Sequence, residues 1–232
     1  MVKKIMKALF VTVLVLVGGL QAQTGTGRIN NTGLYQTSAG GWYTSPYQAT
    51  FEIYSGTPGI ALPVANTLYD IFCVDFYHHD QSYFANFSNL SDVASVNTYT
   101  RAKDVTRYTM AAWLASQLDV VRPLHNSAKN GELNAAIWQV MNGGNIPLLG
   151  GVNQSNVETW KAAARTGEVN AADWVIVTDV SVVGSPAMKM SVTDGQEFVT
   201  RVQVTPEPAT LLLLGTGLLG MLMAAGTIRR LA

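Results

Sequence analysis

The chain has 232 residues, fifteen basic against fifteen acidic, 48% hydrophobic residues and a single cysteine. Three of the basic residues fall within the first seven positions and two at 229–230, so the stretch between carries ten basic residues against the full acidic set. That balance excludes a nucleic-acid-binding body, which needs a basic face, and one cysteine excludes an internal disulfide.

In chain order, residues 1–22 read as a secretory signal peptide. Lys3, Lys4 and Lys7 make a positive start, ALFVTVLVLVGGL a short apolar run, and Ala22 a small residue before a cleavage point. Residues 23–204 then have the length of one exported domain. The body opens β-rich: Ala49, Phe51 and Ile53 alternate with Gln48, Thr50 and Glu52. NTLYDIFCVDF, apolar at nearly every position except Asp70 and Asp75, reads as a strand buried on both faces with Cys73 in its middle.

Helical periodicity follows. AKDVTRYTMAAWLASQL sets Val105, Tyr108, Ala112 and Ala115 on one side, and NGELNAAIWQVMNGG starts at Asn130-Gly131 with Leu133, Ile137, Val140 and Met141 as its apolar face. NQSNVETWKAAARTG is a third helix, with Ser155 or Asn156 as cap and Gly167 as stop. DWVIVTDVSVVG returns to strand, and AMKMSVTDGQEFVTRVQV reads as a hairpin around Asp194-Gly195. Strands, helices, then strands predict an α+β domain: a β-sandwich or barrel-like sheet with a helical insertion.

The last segment, 205–232, has three parts in fixed order. Pro206, Glu207 and Pro208 form an extended tripeptide, residues 209–228 an uncharged run of about the length a bilayer requires, and Arg229 and Arg230 a basic stop that prefers the cytoplasmic side. This tail resembles the PEP-CTERM sorting signal of Gram-negative bacteria. The resemblance implies recognition by an exosortase, a membrane protease-transpeptidase that processes the chain near Pro-Glu-Pro. It also implies an inner-membrane intermediate held by the 209–228 helix, then a cell-surface or extracellular protein linked to exopolysaccharide and biofilm.

In the body, Phe72-Cys73-Val74 is an aromatic-Cys-hydrophobic triplet, and Asn134-Ala135-Ala136-Ile137-Trp138 follows on a helix. Together they resemble the bacterial thioester-adhesin domain, whose helix bears Gln-x-Ala-Ile-Trp. There the resemblance implies a bond between cysteine sulfur and a side-chain carbonyl, formed with loss of ammonia and open to attack by an amine or hydroxyl. Asn134 stands where the family has glutamine and is one methylene shorter. Gln139 lies about 140° away around the helix. The expectation is a retained scaffold without the bond, with Cys73 as a small buried hydrophobe and Asn134 hydrogen-bonding backbone. The alternative is a covalent adhesin in which Cys73 and Asn134 react.

A further alternative is an exported metal-binding protein or hydrolase. Asp75, His78, His79 and Asp80 offer ligand types for a divalent ion, but adjacent histidines on a strand point apart, and His125 is the only other one. Trp42, Tyr43 and Tyr47 could stack on a sugar. The sequence reading is therefore a non-enzymatic surface or matrix protein, with no metal or other cofactor.

Overall fold

The computed structural model describes residues 24–39, 42–56, 62–78, 82–121, 127–144, 146, 150–183 and 195–202. The expected signal peptide, the segment 205–232, the side chains of Trp42 and Tyr43, and His79, Asp80 and His125 lie outside the described residues, as does the first arm of the expected hairpin. Among the described residues no helix is long and apolar enough to cross a membrane.

The body is α+β, and of the two expected sheet forms it takes the barrel. Six antiparallel strands close in the order β1-β2-β3-β6-β5-β4. They are β1 (Thr24–Ala39), β2 (Trp42–Gly56), β3 (Tyr69–Cys73), β4 (Ser82–Asn89), β5 (Trp174–Asp179) and β6 (Phe198–Arg201). Among the described residues four α-helices, α1 (Val93–Tyr99), α2 (Val105–Val121), α3 (Ser127–Met141) and α4 (Gln154–Ala164), come between β4 and β5. The first four strands thus meet the last two only after the helical insertion.

Register fixes which side chains share a face, because directly opposed residues of paired strands point the same way. Phe87 lies opposite Val177, Val177 opposite Phe198, and Phe198 opposite Cys73. This row faces the barrel interior: Tyr47 of β2 meets the Phe198 ring at 6.1 Å, and Phe51 meets Phe87 at 5.6 Å, each across an intervening strand. The aromatic rings fill the middle, and each such side chain contributes roughly 1.5–3 kcal/mol on burial. Tyr47 is itself buried in this core, which leaves it out of the alternative sugar-stacking surface.

The helices depart from their patterns in instructive ways. In α3 every residue from Asn130 to Met141 is buried, although the sequence suggested one apolar face. The helix is packed between α2, α4 and the first two strands, so its polar positions must find partners inside. It also starts three residues before the expected Asn130. The cap of α4 is Asn153 rather than Ser155 or Asn156, its side chain accepting from the Ser155 amide. That helix ends at Ala164, and Gly167 beyond it leaves room for the Trp113 ring, which an added Cβ would meet at 2.4 Å.

Candidate functional site

β3 ends at Cys73, and the chain continues opposite the lead-in to β6. Phe198 faces Cys73, the Val74 amide donates to the Glu197 carbonyl at 3.0 Å, and Gln196 follows on the face of Phe198. Gln196 and Cys73 are thus diagonal neighbours on one face of an antiparallel pair, a separation that a long side chain spans. The amide of Gln196 makes that reach. Its Nε2 lies 2.8 Å from Cys73 Sγ and 3.1 Å from the Asp75 carbonyl. The Cys73 thiol in turn donates to the same carbonyl at 3.0 Å. Cys73 is wholly buried and Gln196 is 7% exposed.

The backbone around the thiol is held from three sides. The Cys73 amide donates to Ser45 Oγ at 2.8 Å, and Trp138 Nε1 donates to the Cys73 carbonyl at 3.1 Å. Asn134, one turn before Trp138, accepts from the Ser45 amide at 2.9 Å and donates to the Asn130 carbonyl at 2.8 Å. The Asn-Ala-Ala-Ile-Trp segment is therefore a clamp: it docks α3 against β2 through Ser45 and against β3, which carries the sulfur, through the Cys73 carbonyl. The amide that meets the sulfur belongs to Gln196, and Asn134 spends its own on backbone. Gln139 is elsewhere, paired with Gln154 and Lys161.

Gln196 is fixed on both flanks. Tyr83 donates its hydroxyl to the Gln196 carbonyl, and the Gly195 amide donates to Asp179 Oδ2 at 2.8 Å. Glu197, on the opposite face, accepts from the Tyr108 hydroxyl and Thr178 Oγ1, both at 2.6 Å, and from the Arg101 amide at 3.0 Å.

Electrostatics keep the site quiet at rest. Burial pushes the Cys73 thiol up, and the neighbouring Asp75 and Glu197 add to the rise, so the sulfur stays protonated. Burial likewise pushes Glu197 up, with the Asp75 charge adding to it against the three donors just named. A thiol starved of thiolate is a poor nucleophile toward molecules in solution.

Of the four residues named as alternative metal ligands, Asp75 and His78 are described, and His79 and Asp80 lie outside the described residues. Asp75 accepts from His78 Nδ1 at 2.5 Å, and no cluster of three or more ligating side chains occurs among the described residues. Asp75 and His78 instead wall a pocket of about 540 Å³ with Arg101, Arg107, Asn142 and Glu197.

Comparison with known proteins places one part of the chain. Residues 204–230 match the PEP-CTERM protein-sorting motif. That motif implies an exported protein, processed at the membrane by an exosortase and moved to the cell surface. No curated protein and no solved structure matches the chain.

Sequence reasoning found the sulfur and the clamp and missed Gln196. The signal available was a glutamine in DGQEFV, at the entry to an alternating strand. It stands 123 residues from the cysteine, and nothing local to either marks them as partners.

Proposed function

We propose that this chain is an exosortase-sorted surface protein whose body attaches covalently to its target through an internal thioester between Cys73 and Gln196. The observation that carries the reading is the 2.8 Å contact between the Gln196 amide nitrogen and the buried Cys73 sulfur. The thiol adds to the Gln196 side-chain carbonyl, a carbon–sulfur bond forms, and the carbon–nitrogen bond breaks. The thiol proton leaves with the amide nitrogen as ammonia. Burial then protects the thioester from hydrolysis by excluding water.

An incoming amine or hydroxyl breaks the carbon–sulfur bond, gives an amide or ester on the former Gln196 side chain, and returns the Cys73 thiol. Each molecule reacts once, so the protein is an attachment device and not an enzyme. Its resemblance to thioester adhesins in Phe72-Cys73-Val74 and in the α3 segment supports the same reading, with Gln196 in the role that the family gives to a glutamine at the Asn134 position. Surface delivery by the sorting motif suits a Gram-negative host whose extracellular polysaccharide or biofilm matrix provides the target.

The test is the intact mass of the full chain purified from an export-competent host, before and after methylamine. A mass short by one ammonia, restored as a methylamine adduct on residue 196, is the expected result, and Gln196→Ala and Cys73→Ala should each abolish both. A full mass with a thiol that alkylates on unfolding overturns the thioester. A sorted protein associating non-covalently would then remain.

A further inference from the structure

The pocket of about 540 Å³ lies apart from the sulfur, since neither Cys73 nor Gln196 is in its wall. Its size falls within the roughly 300–1,000 Å³ of small-molecule sites. The charged groups in and beside its wall are engaged with one another. Asp75 accepts from the Tyr77 amide at 3.1 Å through Oδ1, and its Oδ2 meets His78 Nδ1 at 2.5 Å and Arg101 Nε at 3.1 Å. His78 Nε2 lies 3.4 Å from Arg101 Nη1, and Arg101 Nη2 donates to the Gly195 carbonyl at 2.7 Å. Both carboxyl oxygens of the buried Glu197 already accept bonds, and burial holds that group toward its protonated form. Arg107 Nε faces Asp104 Oδ2 at 3.3 Å. Positive and negative groups are thus matched before any ligand arrives.

Three groups remain for a ligand, and each is fixed by a protein contact of its own. Tyr77 is 55% exposed, its ring edge to face against Phe76 at 5.4 Å, and Phe76 rests on the buried Trp138 at 5.2 Å. Arg107 Nη1 donates to the Met141 carbonyl at 3.2 Å, which leaves Nη2 with no partner among the described residues. Asn142 Nδ2 donates to the Trp138 carbonyl at 2.9 Å, which leaves its Oδ1 as an acceptor. A rigid aromatic ring with one donor and one acceptor beside it suits a sugar, whose ring packs on the aromatic and whose hydroxyls both donate and accept.

Charge decides which sugar. A carboxylate here would lie against Asp75 and the C-terminal carbonyls of α3, where the helix dipole is negative, with no unmatched cation to receive it. We infer that this pocket binds a neutral pyranose reversibly, the ring stacked on Tyr77 and the hydroxyls bonded to Arg107 Nη2 and Asn142 Oδ1. The inference does not rest on the thioester: a sugar held here forms no bond with the chain and leaves unchanged.

Saturation-transfer NMR on the full chain, in a detergent without a sugar headgroup, is the test. The probes are glucose, galactose, mannose and N-acetylglucosamine, with glucuronate as an acidic counterpart. At least one neutral sugar should bind and be released on dilution, and glucuronate should bind several-fold more weakly than the best of them. Tyr77→Ala should raise the Kd of that sugar about tenfold, with the thermal midpoint unmoved because the side chain is exposed, while Tyr77→Phe keeps the ring and the affinity. Arg107→Leu should raise it about tenfold or more. Cys73→Ala, in which no thioester can form, should bind as wild type does.

If none of the four sugars binds, if glucuronate binds best, or if Tyr77→Ala binds as wild type does, the inference fails. Uptake that survives dilution as a mass adduct and vanishes in Cys73→Ala would be covalent capture, which overturns this inference while supporting the thioester. Reversible binding without any ammonia loss would overturn the thioester and leave this site standing.

Discussion

Asn134 and Ser45 bind each other head to tail across 89 residues of sequence: the Ser45 amide donates to Asn134 Oδ1 at 2.9 Å, and Asn134 Nδ2 approaches the Ser45 carbonyl at 3.5 Å. Ser45 Oγ receives the Cys73 amide in turn, so Asn134 positions the cysteine at one remove. Both residues are fully buried, and removing one partner strands the other without water. Asn134→Ala should therefore cost about 1–3 kcal/mol in denaturant unfolding. On the proposed thioester, whose amide is that of residue 196, the folded fraction of that variant should still show the ammonia loss. If Asn134→Ala abolishes the mass deficit while Gln196→Ala retains it, the assignments of the two amides are reversed.

Gly27 allows β1 to pass β2 at close quarters. A Cβ there would lie 2.0 Å from the Glu52 carbonyl oxygen and 2.7 Å from the Phe87 ring, beside a register shift between Thr26 and Gly27. Backbone oxygen in a closed barrel cannot swing aside as a side chain would. Gly27→Ala should destabilise by about 1–3 kcal/mol or more, seen as a fall in thermal midpoint of about 2–4 °C per kcal/mol for a domain of this size. An unchanged midpoint would mean that the strands part there at no cost.

Glu197 makes stability depend on pH in a direction opposite to that of a salt-bridged carboxylate. Its folded pKa is raised, by burial first and the Asp75 charge second. Below the ordinary carboxylate value, near pH 4.5, both states hold the proton and its contribution is fully present. As pH climbs from there toward the raised folded value, the unfolded chain ionises first, and the contribution is lost. Glu197→Gln cannot ionise. Relative to wild type it should gain stability steadily across that window, whatever fixed penalty the amide pays toward Tyr108 and Thr178. Urea midpoints of both proteins at several pH values give the difference directly, and parallel curves would refute the raised value.

Much of the fold could be read because burial writes itself into local pattern. The run through Ile71, Phe72 and Cys73 and the run from Trp174 to Val177 are apolar on both faces, since one face meets the barrel interior and the other is covered. The third helix showed where it ends but not its surroundings: Glu132, Asn134 and Gln139 are polar yet buried, and only their tertiary partners reveal this. The site divides the same way. Phe72-Cys73-Val74 and the Asn134–Trp138 segment are short contiguous signals, whereas Gln196 reaches the sulfur because β6 returns beside β3 after the whole helical insertion. Strand pairing over that distance is set by barrel closure, and no residue spacing records it. Asp75 and His78 were visible as ligand types three residues apart, and the structure shows them bonded to each other and to Arg101 in a pocket wall.

The sorting tail offers a prediction that is independent of the thioester. Neither Pro206 nor Pro208 has an amide proton to donate to a ladder or helix, which is the sequence feature expected to mark the tripeptide for the processing enzyme. The sequence expectation adds an uncharged run over 209–228, about the length a bilayer core requires, followed by Arg229 and Arg230 as a basic stop. Replacing Pro206, Glu207 and Pro208 together by alanine leaves the apolar run and its basic stop intact. Insertion should therefore proceed while processing fails. The expected outcome is an unprocessed chain accumulating in the membrane fraction, with little at the cell surface, while wild type yields a form shortened near residue 206. Replacing Arg229 and Arg230 by glutamate should instead weaken retention of the tail at the cytoplasmic face, so that longer, unprocessed chains escape the membrane. Should the triple-alanine chain appear at the surface with the wild-type mature mass, the tripeptide would not be what the processing enzyme reads.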